Sequence, residues 1–524
     1  MSKTSIISMM LLINELKLGL NDSENKLKEL IAKRLHLKNQ SFSYEIYKKS
    51  LDSRKDIVFT YQVLVSIDHE DKYLSHKGVT KYKKPDLKAH RIDSKERPII
   101  IGYGPSGLFA ACRFVESGLK PIIIEKGKRI KEREKDVDRF FKEGILDENS
   151  NVQYGEGGAG TFSDAKLVTR IKNPYIEYIL DTFINNGAKK EIKYTAHAHI
   201  GTDEMRKIIE HITNYLLSQG AEFHFEEEVI DFVIENSKLI KVTTNKDEYS
   251  SNYFLLGTGH SAYPTIKKLH DAGVYLEKAS TAVGFRVEHP QSLIDNNQYH
   301  GIKSDKLEAS EYFLRYTSDK SVFSFCMCPG GIVIPAASNK YRTLTNGMSY
   351  SSRDSGYANS AILVSVDTDE YEDDVLSGFD YLKAIEENAY KISNSYKAIA
   401  MNIKDYINNE EHELIFNPTY PLGVVKQNIA TLYSDKQNKY LKEALIDFDK
   451  KIPGFINEGI IIGPETRFSS PVRIKRTEYF ESINTKNLYP MGEGSGYGGG
   501  IMSCSLDGIR VANSIIETIK NHTI

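Results

Sequence analysis

The chain has 524 residues, 40% of them apolar, and a formal net charge of −2. That length exceeds one hydrophobic core and predicts roughly three domains, while the near-zero charge argues against any global attraction to nucleic acid or anionic lipid. Four cysteines, none in a C-x-x-C pair, argue against a disulfide scaffold or a cysteine-rich metal centre.

In chain order, the apolar run Ile6 to Ile13 follows a single Lys3 and runs into Asn14 and Glu15 without a small-residue cleavage site. It reads as a first β-strand rather than a signal peptide. No apolar stretch approaches the ~20 residues a membrane span needs, so the expectation is a cytoplasmic protein. Asp22 or Ser23 can cap a helix with Leu27, Leu30, Ile31 and Leu35 on one face. Tyr44 to Tyr47 and Ile57 to Ile67 read as strands. Lys72, Lys77, Lys81, Lys83, Lys84, Lys88 and Arg91, among Tyr73, Tyr82 and Pro85, form a basic segment. Such a segment can contact nucleic acid, but the aromatics are few and a solvated linker is the better reading.

Arg97 to Glu125 holds the most informative pattern. Ile99, Ile100 and Ile101 suit a strand buried on both faces. Gly102, Gly104 and Gly107, with Pro105 and Ser106 between, give G-x-G-x-x-G at the turn into an apolar helix, whose N-terminus favours phosphate. A second strand, Pro121 to Ile124, ends at Glu125, where a carboxylate can accept hydrogen bonds from an adenosine ribose; Lys126 follows it. The sequence has no second complete unit of this kind, so any NAD(P)H binds without its own Rossmann domain.

Gly155, Gly157, Gly158 and Gly160, then Thr161, Ser163 and Asp164, make a loop suited to packing along a phosphate or flavin edge. A helix with Met205, Ile208, Ile209, Ile212 and Leu216 on one face ends at Gly220. The strand Ala221 to Phe225 leads to Val229, and Tyr253 to Leu256 ends in Gly257-Thr258-Gly259-His260-Ser261. Near the C-terminus, Leu488-Tyr489 leads through Gly492-Glu493 and a run of glycines to Gly500 and a helix from Ile501.

These segments closely resemble a bacterial family of uncharacterised FAD-dependent (NAD(FAD)-utilising) dehydrogenases. That family lies within the glutathione reductase, fumarate reductase and p-hydroxybenzoate hydroxylase type of flavoprotein. The resemblance spans nearly the whole chain and rests on GYGPSGLFAA, YGEGGAGTFSDAKL, GHSA (259–262), AVGFRVEHPQ (282–291), FCMCPGG (325–331), NGMS (346–349), GPETRFSSPVRI (463–474) and YPMGEGSGYGGGIMS (489–503). It implies a Rossmann-like α/β FAD-binding domain with an inserted mixed α+β cap and a small N-terminal α/β domain. The expected division is 1–88, 89–262 and 456–524 for FAD, and 263–455 for the insert. It also implies that Glu125 holds the adenosine ribose and Val229 meets the adenine. Thr258-Gly259 would lie by the pyrophosphate, Glu493 by the ribityl-phosphate region and Gly500-Ile501 under the isoalloxazine.

The expected activity is an FAD-dependent oxidoreductase for a small anionic or carbonyl-bearing substrate; a flavin-containing RNA-acting or redox-responsive binding protein is the alternative. Arg286 and Arg473 are the expected substrate clamps and His260 or His289 the proton carrier. Glu288 and Arg467 are further polar groups in apolar surroundings. Each can instead be an inter-domain salt bridge. Cys326 and Cys328 read as half-buried strand residues rather than a redox dithiol, and no metal site is expected.

Overall fold

The computed structural model describes residues 9–38 and 40–523. Ile6 to Ser8 of the first expected strand lie outside the described residues. The strand observed is Met10–Gly19. With Ser43–Asp52, Val58–Ser66 and Val79–Tyr82 it forms an antiparallel sheet in which Met10–Gly19 and Val58–Ser66 are central. The helix Lys26–Arg34 packs Leu27 and Ile31 onto Leu11, Ile13 and Val63. The basic segment that follows is tied down: Lys81 pairs with Asp71, and Tyr82 Oη donates to Glu177 at 3.3 Å.

Five parallel strands build the next layer, in the order Leu488–Pro490, Phe254–Leu256, Ile99–Ile101, Ile122–Glu125 and Glu222–Phe225. Strands with both faces covered need apolar side chains throughout, which is why III, IIIE and FLL suffice at such short length. From Ile99–Ile101 the chain moves outward through Ile122–Glu125 to Glu222–Phe225. It then returns to the other side of the starting strand. That reversal is a topological switch point, and it places a crevice beyond the carboxyl ends of Ile99–Ile101 and Phe254–Leu256. The sheet's last strand comes from residue 488 onward, and the terminal helix Gly500–Thr523 lies against the fingerprint helix Pro105–Glu116.

A seven-stranded sheet forms a second body, ordered Arg315–Thr317, Ser321–Cys328, Tyr357–Val366, Thr281–Pro290, Ile460–Glu465, Ala398–Asn402 and Val424–Lys426. All its neighbours are antiparallel except the last pair. This corrects the boundary expected after residue 455. Ile460–Glu465 pairs with both Thr281–Pro290 and Ala398–Asn402, so a division there would cut the sheet through its middle. At the other end, Ile266, Leu269 and Leu276 pack with Ile99, Ile101 and Phe254 of the parallel sheet, which ties residues 263–278 to the first body.

The two helices at the fingerprint meet at Gly508, where any Cβ would collide with the Ser106 carbonyl. Gly508→Ala should therefore push the helices apart and cost about 1–3 kcal/mol, the usual range for overpacking. A urea midpoint equal to that of the native chain would show that this crossing has slack.

Candidate functional site

The fingerprint turn is built as the glycine spacing requires. Gly102 has φ +95° and donates its amide to the Ile124 carbonyl at 2.8 Å. Gly104 precedes the helix in extended conformation and Pro105 occupies its first turn, with no side chain capping the free amides. Those amides and the dipole end face the switch point. At Gly107 a side chain would run into the Gly102 carbonyl, so helix and strand approach more closely than any other residue allows. Ser106 is buried against the terminal segment, close to Gly492.

Glu125 is buried and organises its surroundings. Its carboxylate accepts hydrogen bonds from the amides of Tyr103 (2.9 Å), Gly127 (2.8 Å) and Gly155 (3.0 Å). Val229 is close by: the Glu227 amide donates to the Glu125 carbonyl at 3.1 Å, and Lys126 sits 3.5 Å from Glu228. Lys126 also lies over the Tyr154 ring, 4.4 Å from its centroid.

The glycine loop closes onto the fingerprint. The Gly157 amide donates to the Tyr103 carbonyl at 3.0 Å. Gly158, at φ +66°, lies so near Gly104 that a Cβ would stand 2.8 Å from its Cα. A Cβ on Gly160 would meet Ile501 at 2.9 Å, so Gly160 and the start of the terminal helix are neighbours. The Thr161 carbonyl accepts from Thr202 Oγ1 at 2.9 Å. The anchor of this loop is a residue the motif reading did not single out. Arg133, fully buried, donates to the carbonyls of Asn151 (2.8 Å), Glu156 (2.8 Å) and Gly158 (3.0 Å). Its signal is visible in hindsight, because Arg133 falls in register with Ile130, Val137 and Phe140 on the buried face of the helix Ile130–Glu143.

Across the switch point, the 257–261 turn packs against the 491–496 turn. The Met491 amide donates to the Leu256 carbonyl at 2.9 Å. Asp507 on the terminal helix accepts the Gly492 amide at 2.9 Å and pairs with Arg476 at 2.6 Å. His260 Nδ1 lies 3.4 Å from Glu493. His260 Nε2, Thr258 Oγ1 and Ser261 Oγ are buried atoms with no protein partner. Gly259 and Gly500 have positive φ and open space where a side chain would project. The orphaned Thr258 and Ser261 hydroxyls beside free helix amides, with clearance at two glycines, fit a bound dinucleotide. The ribose edge would fall to Glu125, the phosphates to the amides after Gly104 and to Thr258, and the far end to Gly500-Ile501.

The other expected site residues are placed elsewhere. Arg286 is fully buried in the second sheet. It pairs with Glu465 at 2.7 Å and donates to Asn359 (2.7 Å), Asn346 (3.1 Å) and the Cys326 carbonyl (3.1 Å). With its Nη donors bonded and its Nε against Glu465, it holds strands together and has nothing left to clamp a substrate. His289 is also fully buried, its Nε2 2.8 Å from the Phe455 carbonyl, and burial pulls it down to about 4. It is a neutral core imidazole. Glu288 accepts from the Thr419 amide at 3.0 Å, and burial pushes it up to about 7. Arg473 is exposed and donates to the Gly496 carbonyl at 3.2 Å, bracing the terminal glycine turn. Cys326 and Cys328 are both free; Cys326 is exposed, while burial pushes the Cys328 thiol up to about 12 and keeps it protonated at neutral pH. Arg467 does line the crevice. With Arg342 and Lys383 it faces His260, Ser261 and Tyr263 across the gap between the two bodies. It is held bidentately by the buried Glu386, at 2.6 and 2.8 Å.

Two measurements test these placements. Arg286→Ala should lose about 3–5 kcal/mol, because Glu465 is left buried and unpaired, whereas Arg286→Met with Glu465→Leu should recover most of it. For His289, the folded value of about 4 lies below 6.5 in the unfolded chain, so the unfolded state binds the extra proton between them. Its contribution is therefore present above about pH 6.5 and lost as pH falls towards 4. The denaturation free energy should lose about 1.4 kcal/mol less per pH unit in this window in His289→Gln.

With this geometry in place, comparison with known proteins is informative. A family model described as "FAD-dependent protein, C-terminal domain-like" matches residues 280–468, and a domain of unknown function matches 10–66. An uncharacterized protein of Clostridium beijerinckii is 38% identical over 527 aligned positions, covering 96% of this chain and 98% of that protein. A D-amino acid dehydrogenase of Helicobacter pylori is 32% identical over 85 residues, 16% of this chain and 20% of that one. Among solved structures, a geranylgeranyl bacteriochlorophyll reductase-like protein from Thermoplasma acidophilum aligns with a TM-score of 0.34 at 12% identity, over 81% of this chain and 79% of that one. Glycine oxidase from Bacillus cereus aligns at 0.31 and 11%, over 81% and 96%. Among the described residues, no helix is long and apolar enough to cross a membrane.

Proposed function

We propose that this FAD-dependent oxidoreductase, which belongs to the same family as its Clostridium beijerinckii relative, acts on a small anionic or carbonyl-bearing substrate admitted between its two bodies. The observation that carries this reading is His260. Its Nδ1 lies 3.4 Å from Glu493 and its Nε2 is buried and unpartnered, and the residue lines a narrow crevice shared with Arg342, Asp380, Lys383, Glu386 and Arg467. The flavin supplies hydride transfer when bound. The chain's own part is to orient the substrate and move its proton. Arg342, Lys383 and Arg467, standing beside Asp380 and Glu386, offer directed donors to an anionic or polarised group. His260 Nε2 then gives or takes the proton, while Glu493 steadies the charge that forms on the ring. Arg473 and Asp507 hold the terminal turn in place from outside.

The second sheet is largely antiparallel, so NAD(P)H, where it serves as electron partner, docks without a Rossmann domain of its own. The RNA-acting alternative has little support, because Lys81, Tyr82 and Lys84 of the basic segment engage Asp71 and Glu177 and its aromatics are few.

Acid precipitation should release free FAD, and anaerobic mixing with a panel of carboxylate and carbonyl metabolites should bleach the flavin with one class of them. His260→Gln should keep its FAD and slow that bleaching by about 100-fold or more, the usual worth of a positioned proton carrier. Loss of FAD in this variant would reassign His260 to cofactor binding; an unchanged rate would remove its role altogether.

A further inference from the structure

A well-defined groove lies far from the flavin site in sequence, on the N-terminal domain. It encloses about 610 Å³ between the helix Lys26–Arg34 and the bulged part of the strand Met10–Gly19. That volume is within the usual size of a small-molecule site, about 300–1,000 Å³. Lys17, Lys33, Arg34, His36, His76 and Lys77 line it, against one acid, Glu15.

The cations here differ from others in the same domain. Lys26, Lys49 and Lys81 are paired with Asp22, Glu24 and Asp71. Among the described residues, Lys17, Lys33 and Lys77 have no carboxylate within ion-pair distance. Arg34 is fixed by backbone instead. Its Nη1 donates to the carbonyls of Lys77 (3.0 Å) and Asn14 (3.2 Å), and Nη2 reaches the Glu15 carbonyl at 3.5 Å. The strand bulge between Ile13 and Leu16 holds the Asn14 and Glu15 carbonyls, and with that of Lys77 they orient the guanidinium without cancelling its charge. Three of the guanidinium's N–H groups are spent on these carbonyls, and its Nε–H and one Nη2–H have no protein acceptor among the described residues and are left for an anion. The His36 and His76 rings, 5.2 Å apart, lie at the same end, with the His76 Nδ1 3.1 Å from the Tyr73 carbonyl.

We propose that this groove binds a compact di- or polyphosphate small molecule. The number of uncompensated cations exceeds what a single carboxylate needs, and their clustering around one concavity suits a multiply charged anion. A nucleic-acid strand is the poorer fit, because no Phe, Tyr or Trp lines the groove for base stacking. Its phosphates share the same chemistry, however, so both sources enter the test.

Full-length, FAD-loaded protein is titrated calorimetrically with inorganic pyrophosphate, tripolyphosphate and a single-stranded RNA 12-mer, in low and high salt. Binding of both phosphates is expected, weakening as salt rises. The double variant Lys33→Gln/Lys77→Gln should weaken pyrophosphate about 30-fold, each of the two lost charges being worth roughly 1 kcal/mol near water, with flavin content and melting temperature unchanged. No pyrophosphate binding by the native protein overturns the proposal, as does equal binding by the variant. Binding of RNA alone also overturns it and identifies a nucleic-acid surface.

Discussion

The carboxylate of Glu125 is the constraint on which the first body depends. It collects amides from three separate places: the fingerprint turn at Tyr103, its own strand end at Gly127 and the glycine loop at Gly155. A buried carboxylate is stable as an anion only when such donors surround it. The amides, in turn, would be unsatisfied without it. Arg133 answers with the opposite polarity, taking three carbonyls from the same loop. Between them an anion for the N–H groups and a cation for the C=O groups fix a segment whose glycines give it little intrinsic order. That fixed loop then sets the approach of Gly158 to Gly104 and of Gly160 to Ile501.

Much of this body was legible in the sequence because its signals are local. Strand, turn, helix and acid fall within 29 residues, Arg97 to Glu125, and each glycine has a steric reason to be where it is. The repeated pattern of a short apolar strand running into glycines at 254–259 and 488–492 carried the same information twice more. Arg133 was missed because charge in a strongly charged helix reads as solvated surface, although its spacing from Ile130 and Val137 marks the inner face. The place where the chain leaves the second sheet was also misjudged. Ile460–Glu465 is an apolar run that either sheet could accept, and only its pairing with Thr281–Pro290 decides the matter.

The polar residues of the strand Thr281–Pro290 show where such reading stops. An arginine and a histidine among valines and alanines can mark a ligand site or a satisfied core pair, and both readings predict the same sequence. What separates them is the register of a partner 179 positions away, Glu465, together with Asn359 and Asn346. Nothing near Arg286 in the chain announces those neighbours. His289 is decided in the same way, by the carbonyl of Phe455 and by the ring of that residue 4.2 Å away.

Charge compensation then distinguishes the two basic concavities of the molecule. In the crevice, burial alone would raise the Glu386 carboxyl, but Arg467 and Thr466 outweigh it and hold it below its ordinary value. The arginine therefore meets any ligand as half of a neutral pair, offering directed donors more than net attraction. A site of that kind discriminates by geometry, which suits a substrate that must lie in one orientation to react. In the N-terminal groove the cations face solvent with a single acid beside them, so attraction is long-ranged, sensitive to salt and tolerant of ligand shape. The same residue types therefore stand in two electrostatic settings, and the difference lies in whether a buried carboxylate stands behind them.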